Sequence, residues 1–597
     1  MKSGKSHLRD KGSAASGPTS LTSYKKFIFV TFLGIGGLIA IEASAAVIIT
    51  GLTEPLERNA RALISLASTP CDTAQWRVER LYRNMDKQLD DAMRALGHYQ
   101  YSFDKTISFE NAGCWSATLD VTPGDPVLLR KVDVIITGDA QNDSAIPARV
   151  EPRKPTPDST LDHGQYESFK QYIMGMLRAR GYFEAKLIEN SVVVDETLSF
   201  ADMKLEIESG PRYVFGPIEF SELVLQRNLL VSYAEFLPGD AYDDVAIARL
   251  YESLNGSGYF GSVSINTVPA TDGSHEVPVY VSLSPGIRHV FTTGVGYATD
   301  VGLQGRLGYT NRRRNDSGHQ FNSQLIASRV NSELTGTYRW PRGNPNKEWV
   351  DIFGGFQRKR TETSESNTVI LGARLTHDRG ERWLESPYLN LANEDFKVGD
   401  QVGSTRLLTP GISWESTIGR EISRMSSGRR INLDIKGAHE DLWSDTSLLQ
   451  LTASAKWVVS LNDVNRLIMR GDLGFTAVSD FEELPATMRF FAGGDNSVRG
   501  YDFETIGPID VDGNVTGGTN LAVFSLEFDH LIAKSWALAA FVDTGTAYND
   551  FDLDFKTGAG VGIRWYSPLG PIRIDVAHPI GESDRSTRLH ITLGPDL

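Results

Sequence analysis

The alternation of apolar residues with glycine or charge near the C-terminus constrains the fold more than any other feature. In the segment GAGVGIRWY, Val561, Ile563 and Trp565 fall on one face, whereas Gly562 and Arg564 fall on the other. PIRIDVAHP and RLHITLG repeat this pattern. A period of two predicts β-strands. An apolar face opposite one rich in glycine and charge is typical of a barrel with a lipid-facing exterior and a polar lumen.

Segments of this kind follow one another from residue 287 to residue 597, separated by clusters of Gly, Asn, Asp and Ser. At about 19 or 20 residues for each strand and its connection, this length accommodates about 16 strands. Lipid offers no partner to backbone N–H and C=O groups, so only a closed barrel pairs every strand. Residues 287–597 therefore predict a transmembrane antiparallel β-barrel of about 16 strands.

Three internal repeats precede the predicted barrel. The pentapeptide VIITG occurs at Val47 and again at Val134, and a glycine two residues before an aromatic residue recurs at Gly97, Gly181 and Gly258. Each repeat closes on a strand-like segment that ends in glycine. Self-similarity at a fixed period indicates copies of one structural unit. The predicted repeats span residues 46–124, 125–211 and 212–286.

The order of elements predicted within each repeat is β-α-α-β-β, a small α+β unit. Apolar residues three or four positions apart predict an amphipathic helix in every copy. They are Val78, Leu81, Met85, Leu89, Met93 and Leu96 in the first, Tyr166, Phe169, Ile173 and Met176 in the second, and Ile247, Leu250, Tyr251 and Leu254 in the third. Each sheet would keep an exposed edge to which a partner strand could add. The alternative is that the repeats act only as spacers.

The N-terminus has the composition of a secretory signal. Lys25 and Lys26 precede the apolar run Phe27–Ile41, and the small residues Ala43 to Ala45 follow it. The run is shorter than the ~20 apolar residues of a spanning helix, so residues 1–45 predict a leader with a signal peptide cut after Ala45. An uncleaved inner-membrane anchor is the alternative, and the long stretch before the apolar run leaves open a start codon further downstream.

Charge and cysteine content narrow the class of protein further. The formal net charge of −15 argues against nucleic-acid binding, which requires a basic surface. Cys71 and Cys114 are the two cysteines of the chain, and in an oxidising compartment we expect them to form a disulfide. Two separate thiols are the alternative. Because no histidine pair accompanies them, they do not predict a metal site.

A glycine-rich segment, FFAGGDNSVRGYDF, places a single arginine, Arg499, between Val498 and Gly500. In the two strands predicted to follow it, the alternation turns Glu527 and Asp543 into the lumen. A loop folded back into the lumen would bring Arg499 to these carboxylates. A shielded charge-assisted contact of this kind contributes ~1.5–3 kcal/mol, so it would fix the position of the loop. The alternative is a solvated loop whose arginine faces water.

Taken together, VRGY, FVDTG and the closing GVGIRWYSPLGPIRID resemble the BamA/TamA outer-membrane insertase superfamily. The resemblance implies three POTRA domains in the periplasm followed by a 16-strand barrel in the bacterial outer membrane. It also implies that Arg499 docks the loop against Asp543, with Glu527 as a second acidic contact. The loop-docking residues implied in this way are Val498, Arg499, Gly500, Tyr501, Phe541, Asp543, Gly545 and Glu527.

The same resemblance implies a weak lateral seam between the first barrel strand, near residues 289–297, and the last, near residues 588–594. Gly294 and Gly296 weaken a strand and Pro595 ends pairing, which gives the seam independent support. An ordinary closed barrel, with glycines that suit its curvature, is the alternative. The seam residues expected on the two strands are Gly294, Gly296, Leu589, Ile591 and Leu593.

These features predict an assembly factor that folds and inserts client β-barrels, such as autotransporters, through the seam. The alternatives are an exporter pore that passes an unfolded polypeptide, and a passive porin. No H-E-x-x-H or G-x-S-x-G motif is present, so we expect neither catalysis nor a cofactor or metal. The expected partners are unfolded barrel clients, the lipid bilayer and, by resemblance, a TamB-like periplasmic protein anchored in the inner membrane.

Overall fold

The computed structural model describes residues 46–111, 114–380, 382–419, 424–550, 553–567, 570–582 and 586–593. The predicted leader, residues 1–45, lies outside these ranges. The described chain divides into two compact units. One comprises residues up to Lys131 with Thr156–Gln165 and Val193–Asp202, and the other comprises Val132–Pro155, Tyr166–Val192 and the chain from Met203 onward. Within the described ranges, no helix is both long enough and apolar enough to cross a membrane.

The first α/β segment packs two helices on a three-stranded sheet. Its elements are β1 (Ala46–Thr50), α1 (Glu54–Leu63), α2 (Gln75–Ala95), β2 (Ser102–Asn111) and β3 (Cys114–Thr122). The strand order is β1-β3-β2, with β1 parallel and β2 antiparallel to β3. The apolar face of α2 supplies much of the core, with Val78, Met85, Leu89 and Met93 buried. Cys71 and Cys114 form a disulfide, with their Cα atoms 4.6 Å apart.

Two further three-stranded sheets follow, each flanked by two α-helices in the predicted element order. The sheet with order β4-β6-β5 belongs to β4 (Leu128–Thr137), α3 (Ala145–Val150), α4 (His163–Ala179), β5 (Lys186–Val194) and β6 (Phe200–Glu208). The sheet with order β7-β9-β8 belongs to β7 (Val214–Phe220), α5 (Arg227–Val231), α6 (Asp244–Gly256), β8 (Phe260–Thr267) and β9 (Glu276–Pro285).

The helix predicted in the third repeat buries only part of its apolar pattern. Leu250 and Leu254 of α6 lie in the core, but Tyr251 is 43% exposed. The inclusion of Tyr251 in the buried face was therefore wrong. Adjacent positions on a helix are 100° apart, so Tyr251 cannot share the face of Leu250 when that face covers a small sheet.

Sixteen antiparallel strands, β10 to β25, close into a barrel, which confirms the predicted strand number. The strands are β10 (His289–Ala298), β11 (Gly302–Asn311), β12 (Gln320–Ala327), β13 (Asn331–Pro341), β14 (Glu348–Arg360), β15 (Ser364–Asp378), β16 (Trp383–Val398), β17 (Gln401–Ile418), β18 (Gly428–Ala438), β19 (Leu448–Ser460), β20 (Asn465–Val478), β21 (Asn520–Ala533), β22 (Trp536–Tyr548), β23 (Lys556–Ser567), β24 (Gly570–Ile580) and β25 (Arg588–Leu593).

The exterior of the barrel is apolar, as the alternation predicted. Along β22 and β23, Leu538, Val542, Ile563 and Trp565 are exposed, whereas residues between them, such as Asp543 and Arg564, are buried. An isolated soluble sheet would not expose such a band, since apolar surface is costly in water. The exposed residues therefore form a lipid-facing surface.

The third α/β segment contacts two turns at one end of the barrel. The Gln226 backbone N–H donates to the Asp316 carbonyl at 2.9 Å in the β11–β12 turn. In the β13–β14 turn, the Asn346 side-chain amide donates to the Ser253 carbonyl at 2.9 Å. We call this end of the barrel the near end. The turn between β10 and β11, residues 299–301, then lies at the far end.

Candidate functional site

The segment that joins β20 to β21, residues 479–519, lies across the lumen and is called the inner loop. On one side, the Thr487 backbone N–H donates to Glu394 of β16 at 3.0 Å, and Glu394 is only 2% exposed. On the other side, the inner loop contacts β21, β22, β24 and β25 through Arg499 and Gly500. The inner loop therefore spans the interior of the barrel from one wall to the other.

Arg499 is buried at 7% exposure and meets three carboxylates. Its Nε and Nη2 atoms donate to the two oxygens of Asp543 at 2.7 and 3.0 Å, and its backbone N–H donates to Asp543 at 3.1 Å. Its Nη1 atom donates to Glu527 at 2.8 Å and to Asp575 at 3.0 Å. Bidentate pairing of arginine with a carboxylate is strongly directional. Arg499 thus fixes the loop relative to β21, β22 and β24 together.

Two of these carboxylates, Glu527 and Asp575, also bind a second arginine, Arg564 of β23. Arg564 donates through Nη2 to Glu527 at 2.8 Å and through Nη1 to Asp575 at 2.5 Å. Two guanidinium groups therefore face three carboxylates in a buried cluster. Because removal of one partner would leave an uncompensated buried charge, at a cost of about 3–5 kcal/mol, the cluster is sensitive to the loss of Arg499.

Two glycines make room for this docking. Gly500 has φ of +100°, which an L side chain rarely adopts, and an added Cβ there would lie 3.2 Å from the Pro579 nitrogen. At Gly558 of β23, an added Cβ would lie 1.8 Å from the carbonyl oxygen of Arg499. The backbone of the inner loop therefore approaches the barrel wall so closely that side chains are excluded on both surfaces.

Apolar contacts complete the docking around the arginine. Val498 and Tyr501 are buried together with Val523 of β21. The Arg499 guanidinium carbon lies 3.4 Å from the centre of the Phe541 ring, a cation–π arrangement. An added Cβ at Gly545 would lie 2.7 Å from Val523, so glycine allows that valine to reach the loop. The predicted loop-docking residues are thus brought together in one place.

A second buried arginine, Arg466 of β20, lies in the same lumen. It is fully buried, and its Nε donates to Asp529 of β21 at 2.8 Å. Its Nη2 donates to the Tyr566 hydroxyl at 2.6 Å, and that hydroxyl donates to Asp529 at 2.7 Å. Unlike Arg499, Arg466 and the partners of its Nε and Nη2 are all carried by strands of the wall.

Among the described residues, the contact between β10 and β25 has the fewest register pairs of any two neighbouring strands in the barrel wall. Within the described ranges, these strands share one register pair, Ala298 opposite Thr592. Just beyond it, the Thr299 N–H donates to the Ile591 carbonyl at 3.0 Å, and the Ile591 N–H donates to the Thr299 hydroxyl at 2.7 Å. We call this contact the seam.

The five predicted seam residues lie on the two strands of the seam. Each of them has its register partner on the neighbouring strand away from the seam. Gly294 and Gly296 lie opposite Arg306 and Gln304 of β11, and Leu589, Ile591 and Leu593 lie opposite Val576, Ile574 and Ile572 of β24. In the part of the seam that the structure describes, the residues that pair or bond across it are Ala298, Thr299, Ile591 and Thr592.

A hydrogen-bonded chain crosses the seam at its far end. His590 of β25 accepts the Gly500 backbone N–H on Nε2 at 2.9 Å and contacts Asp495 of the inner loop through Nδ1 at 2.6 Å. Asp495 in turn accepts the Asp300 backbone N–H at 3.2 Å and donates its own N–H to the Asp300 carboxylate at 2.6 Å. Burial, and then the neighbouring charge of Asp495, raise the pKa of Asp300 to about 7.

The donor atoms of Asp300, Asp495 and His590 lie within 4.8 Å of one another, a spacing that suits a metal ion. The hydrogen bonds argue for a different state. Since Nε2 of His590 accepts from Gly500, the ring proton of the neutral imidazole lies on Nδ1 and is donated to Asp495. A metal ligand at Nδ1 would have to lose that proton. The arrangement is therefore better described as a hydrogen-bonded chain than as a metal centre.

Comparison with known families decides what kind of barrel this is. Residues 291–596 match the Omp85 superfamily domain, which covers more than half of the chain. The chain belongs to the Omp85 superfamily. Residues 46–123 match the first POTRA domain of the TamA type, so the first α/β segment is a POTRA domain. The protein is an outer-membrane β-barrel preceded by POTRA-like α/β domains.

Known Omp85 relatives are similar along much of the chain. The outer membrane protein assembly factor BamA of Neisseria meningitidis is 23% identical over 87% of this chain and 73% of its own length. BamA of Nitratidesulfovibrio vulgaris is 23% identical over 62% of this chain, which spans about half of that relative (49%). The crystal structure of Haemophilus ducreyi BamA lacking POTRA domains 1–3 superposes with a TM-score of 0.65 at 16% identity, covering 78% of this chain and 99% of that one. At that identity the superposition shows the fold alone.

Several residues of this Omp85 site were missed from the sequence. Arg564 and Asp575 were placed on the lumen face by alternation but were given no role. Asp495 lies inside the glycine-rich segment FFAGGDNSVRGYDF, and the alternation of RLHITLG places His590 on the lumen face. Asp300 gave no signal, because its partner lies 195 residues away. The approach of Asp300 is allowed by the glycine before Asp495, a detail that only the folded chain shows.

Proposed function

We propose that this protein is an outer-membrane assembly factor that inserts and folds client β-barrels through its seam. The observation that carries the proposal is the seam itself, where one register pair joins β10 to β25 within the described ranges. A β-strand with unpaired backbone groups is a template for another strand. A client strand that pairs there would complete its hydrogen-bond ladder and bury its apolar face in lipid.

The inner loop supports insertion at the seam over transport through the lumen. It crosses the interior from Glu394 to Asp543 and is held by buried charged contacts. A polypeptide passing through the lumen would have to displace those contacts, whereas a strand added at the seam would leave them in place. The alternative, an exporter pore for an unfolded polypeptide, therefore requires a mobile inner loop.

We further propose that the protein is of the TamA type and acts on autotransporter-like clients. The TamA-type match of residues 46–123 and the three α/β sheets support an arm of three POTRA domains extending into the periplasm. A TamB-like protein anchored in the inner membrane is the proposed partner of this arm. No catalytic step is proposed, since strand pairing and burial supply the driving force.

The test uses proteoliposomes with the purified full-length protein, beside empty liposomes, and an unfolded autotransporter barrel as client. The readout is the appearance of a heat-modifiable, protease-resistant client. We expect faster insertion than in empty liposomes, and loss of the acceleration in Arg499→Ala. No acceleration, combined with a large conductance in planar bilayers, would favour the exporter pore instead.

A locked seam separates the two functions more sharply. Cysteines at Ala298 and Thr592, which face each other across the seam, should cross-link β10 to β25 on oxidation. We expect the oxidised protein to lose client insertion and to regain it on reduction. The matched control places cysteines at Gly294 and Arg306, a register pair away from the seam. Insertion that continues through a locked seam would contradict the proposed route.

A further inference from the structure

We propose that Asp495 is a positioning residue through which the docked inner loop holds the seam closed. It stands between the two strands of the seam and bonds to both sides. On one side it meets the turn after β10 through Asp300. On the other it meets β25 through His590. The inference concerns the seam on which the proposed function rests, and it adds the residue that controls it.

Within the described ranges, backbone pairing between β10 and β25 is confined to the end of the seam beside the turn after β10. One register pair and three hydrogen bonds between Thr299 and Ile591 link the two strands there. A backbone ladder stabilises neighbouring strands through many bonds that form together. At this end of the seam, side-chain contacts that join the same two strands therefore add to a short ladder.

The hydrogen-bonded chain through Asp495 is buried. Asp495 and His590 are both buried, and the two side chains are joined by a short contact between a ring N–H and a carboxylate. A hydrogen bond to a charged group contributes more than a neutral backbone bond of the ladder. The contacts of Asp495 therefore add strongly to the described bonds that join the turn after β10 to β25.

The same hydrogen-bonded chain lies next to the docked Arg499. His590 lies directly opposite Asp575 in the register of β24 and β25, and Asp575 binds Arg499. The next residue, Gly500, donates its N–H to His590. Consecutive residues of the inner loop thus contact the last two strands at one level of the barrel. Displacement of the loop would withdraw partners from both sides of the seam at once.

Gly494 shows that the local backbone is shaped for this contact. It has φ of +105°, and an added Cβ would lie 2.5 Å from the Asp300 carboxylate. A larger residue would hold Asp300 away from the N–H of Asp495. Glycine at position 494 therefore allows the turn that follows β10 to approach the inner loop.

The test measures the seam without any client, so that it can fail independently of the proposed function. Nitroxide labels on cysteines at Tyr297 and Leu589, both exposed on the two seam strands, report the distance across the seam in the full-length protein in liposomes. The native cysteines are already bonded to each other and should not react with the label. We expect one narrow distance distribution in this parent, and a second, longer population in Asp495→Ala.

A matched control and a second variant make the result specific. Asp502 of the same loop pairs with Arg588 of β25 at the protein surface, without bonding to the turn after β10, so Asp502→Ala should keep the narrow distribution. Asp300→Ala removes the other end of the chain while it leaves Arg499 untouched, and should open the seam as Asp495→Ala does. Protease protection of the inner loop should persist in Asp300→Ala.

The distance distributions of the two variants decide whether the proposal stands. A narrow distribution in both Asp495→Ala and Asp300→Ala would overturn the proposal, because the seam would then be closed without the chain. If Asp495→Ala fails to fold, Asp300→Ala alone decides in the same way. A chelator should leave the parent distribution unchanged, and a longer distance on chelation would show that a metal ion, not the hydrogen-bonded chain, holds the seam.

Discussion

Arg499 and Arg466 are two buried arginines in one lumen with different consequences for the molecule. Arg466 extends from a strand to a carboxylate on the adjacent strand, and the backbone ladder already holds both strands in place. Arg499 extends from a loop, and its carboxylates lie on three strands. The same guanidinium–carboxylate chemistry therefore stabilises the wall in one case and determines the position of a loop in the other.

The largest expected effect comes from Arg499→Ala compared with Arg466→Ala. Both variants leave buried carboxylates without their arginine, at a cost of about 3–5 kcal/mol. In Arg499→Ala we expect this cost to release the inner loop, with new protease cleavage within residues 479–519 and at least a tenfold loss of client insertion. Arg466→Ala should instead lower the temperature at which the heat-modifiable band unfolds. Equal loop cleavage in both variants would erase the distinction.

A smaller effect distinguishes the carboxylates that hold Arg499. Asp543 accepts three of its N–H groups, whereas Glu527 accepts one and is shared with Arg564. We therefore expect Asp543→Asn to increase loop cleavage more than Glu527→Gln, by a difference of about 1.5–3 kcal/mol, the contribution of a hydrogen bond to a charged group. Limited proteolysis of the two variants side by side measures the order, and the reverse order would show that Glu527 dominates.

The space under the loop provides a test that leaves every charge intact. Gly558→Ala introduces a methyl group 1.8 Å from the Arg499 carbonyl oxygen, an overlap that typically costs about 1–3 kcal/mol. We expect partial release of the inner loop. Gly294→Ala is the matched control, because an added Cβ there meets no atom within 4 Å. Similar protection in the two variants would mean that the loop can shift without undocking.

The smallest effect is the pH dependence of the seam. The pKa of Asp300 is raised to about 7 in the docked state, above the usual value of about 3.9, so the docked state binds the proton more tightly. The stabilisation is complete below pH 4 and is lost as the pH rises through 7. Closure should therefore be favoured about tenfold more at pH 6 than at pH 8.

The distance between labels on Tyr297 and Leu589 measures this dependence. Asp495 and His590 face Asp300, and Glu504 lies nearby in the inner loop, so the variant that isolates the proton is Asp300→Asn. It should remove most of the dependence between pH 6 and 8. A seam that tightens as the pH rises would contradict the assignment to Asp300.

The sequence was sufficient for the barrel because lipid and lumen impose opposite polarity on alternate residues. Leu538 and Val542 are exposed and Asp543 is buried for that reason, and no tertiary information was needed to place them. The pairing of Arg499 with Asp543 could be anticipated because both lie in recognisable motifs. The exposure of Tyr251 could not be anticipated, since helical spacing alone does not determine how wide a face of the helix the sheet covers.

The chain across the seam was beyond prediction for a physical reason. Asp300 and His590 are 290 residues apart, and they meet only because the barrel closes with Ala298 opposite Thr592. A register is set by all the strands between them, so no local pattern records it. Sharing of Asp575 between Arg499 and Arg564 depends instead on the register of the neighbouring strands β21 to β24.

The contacts at the near end make the two sides of the seam mechanically unequal. Hydrogen bonds attach the third α/β segment to the β11–β12 and β13–β14 turns, and an ion pair between Lys347 and Glu235 adds to them. A force applied to that segment would therefore be transmitted first to β11, β12, β13 and β14. The segment would then act as a lever whose load reaches β10 through its ladder with β11, while β25 is held by its ladder with β24 and by the inner loop.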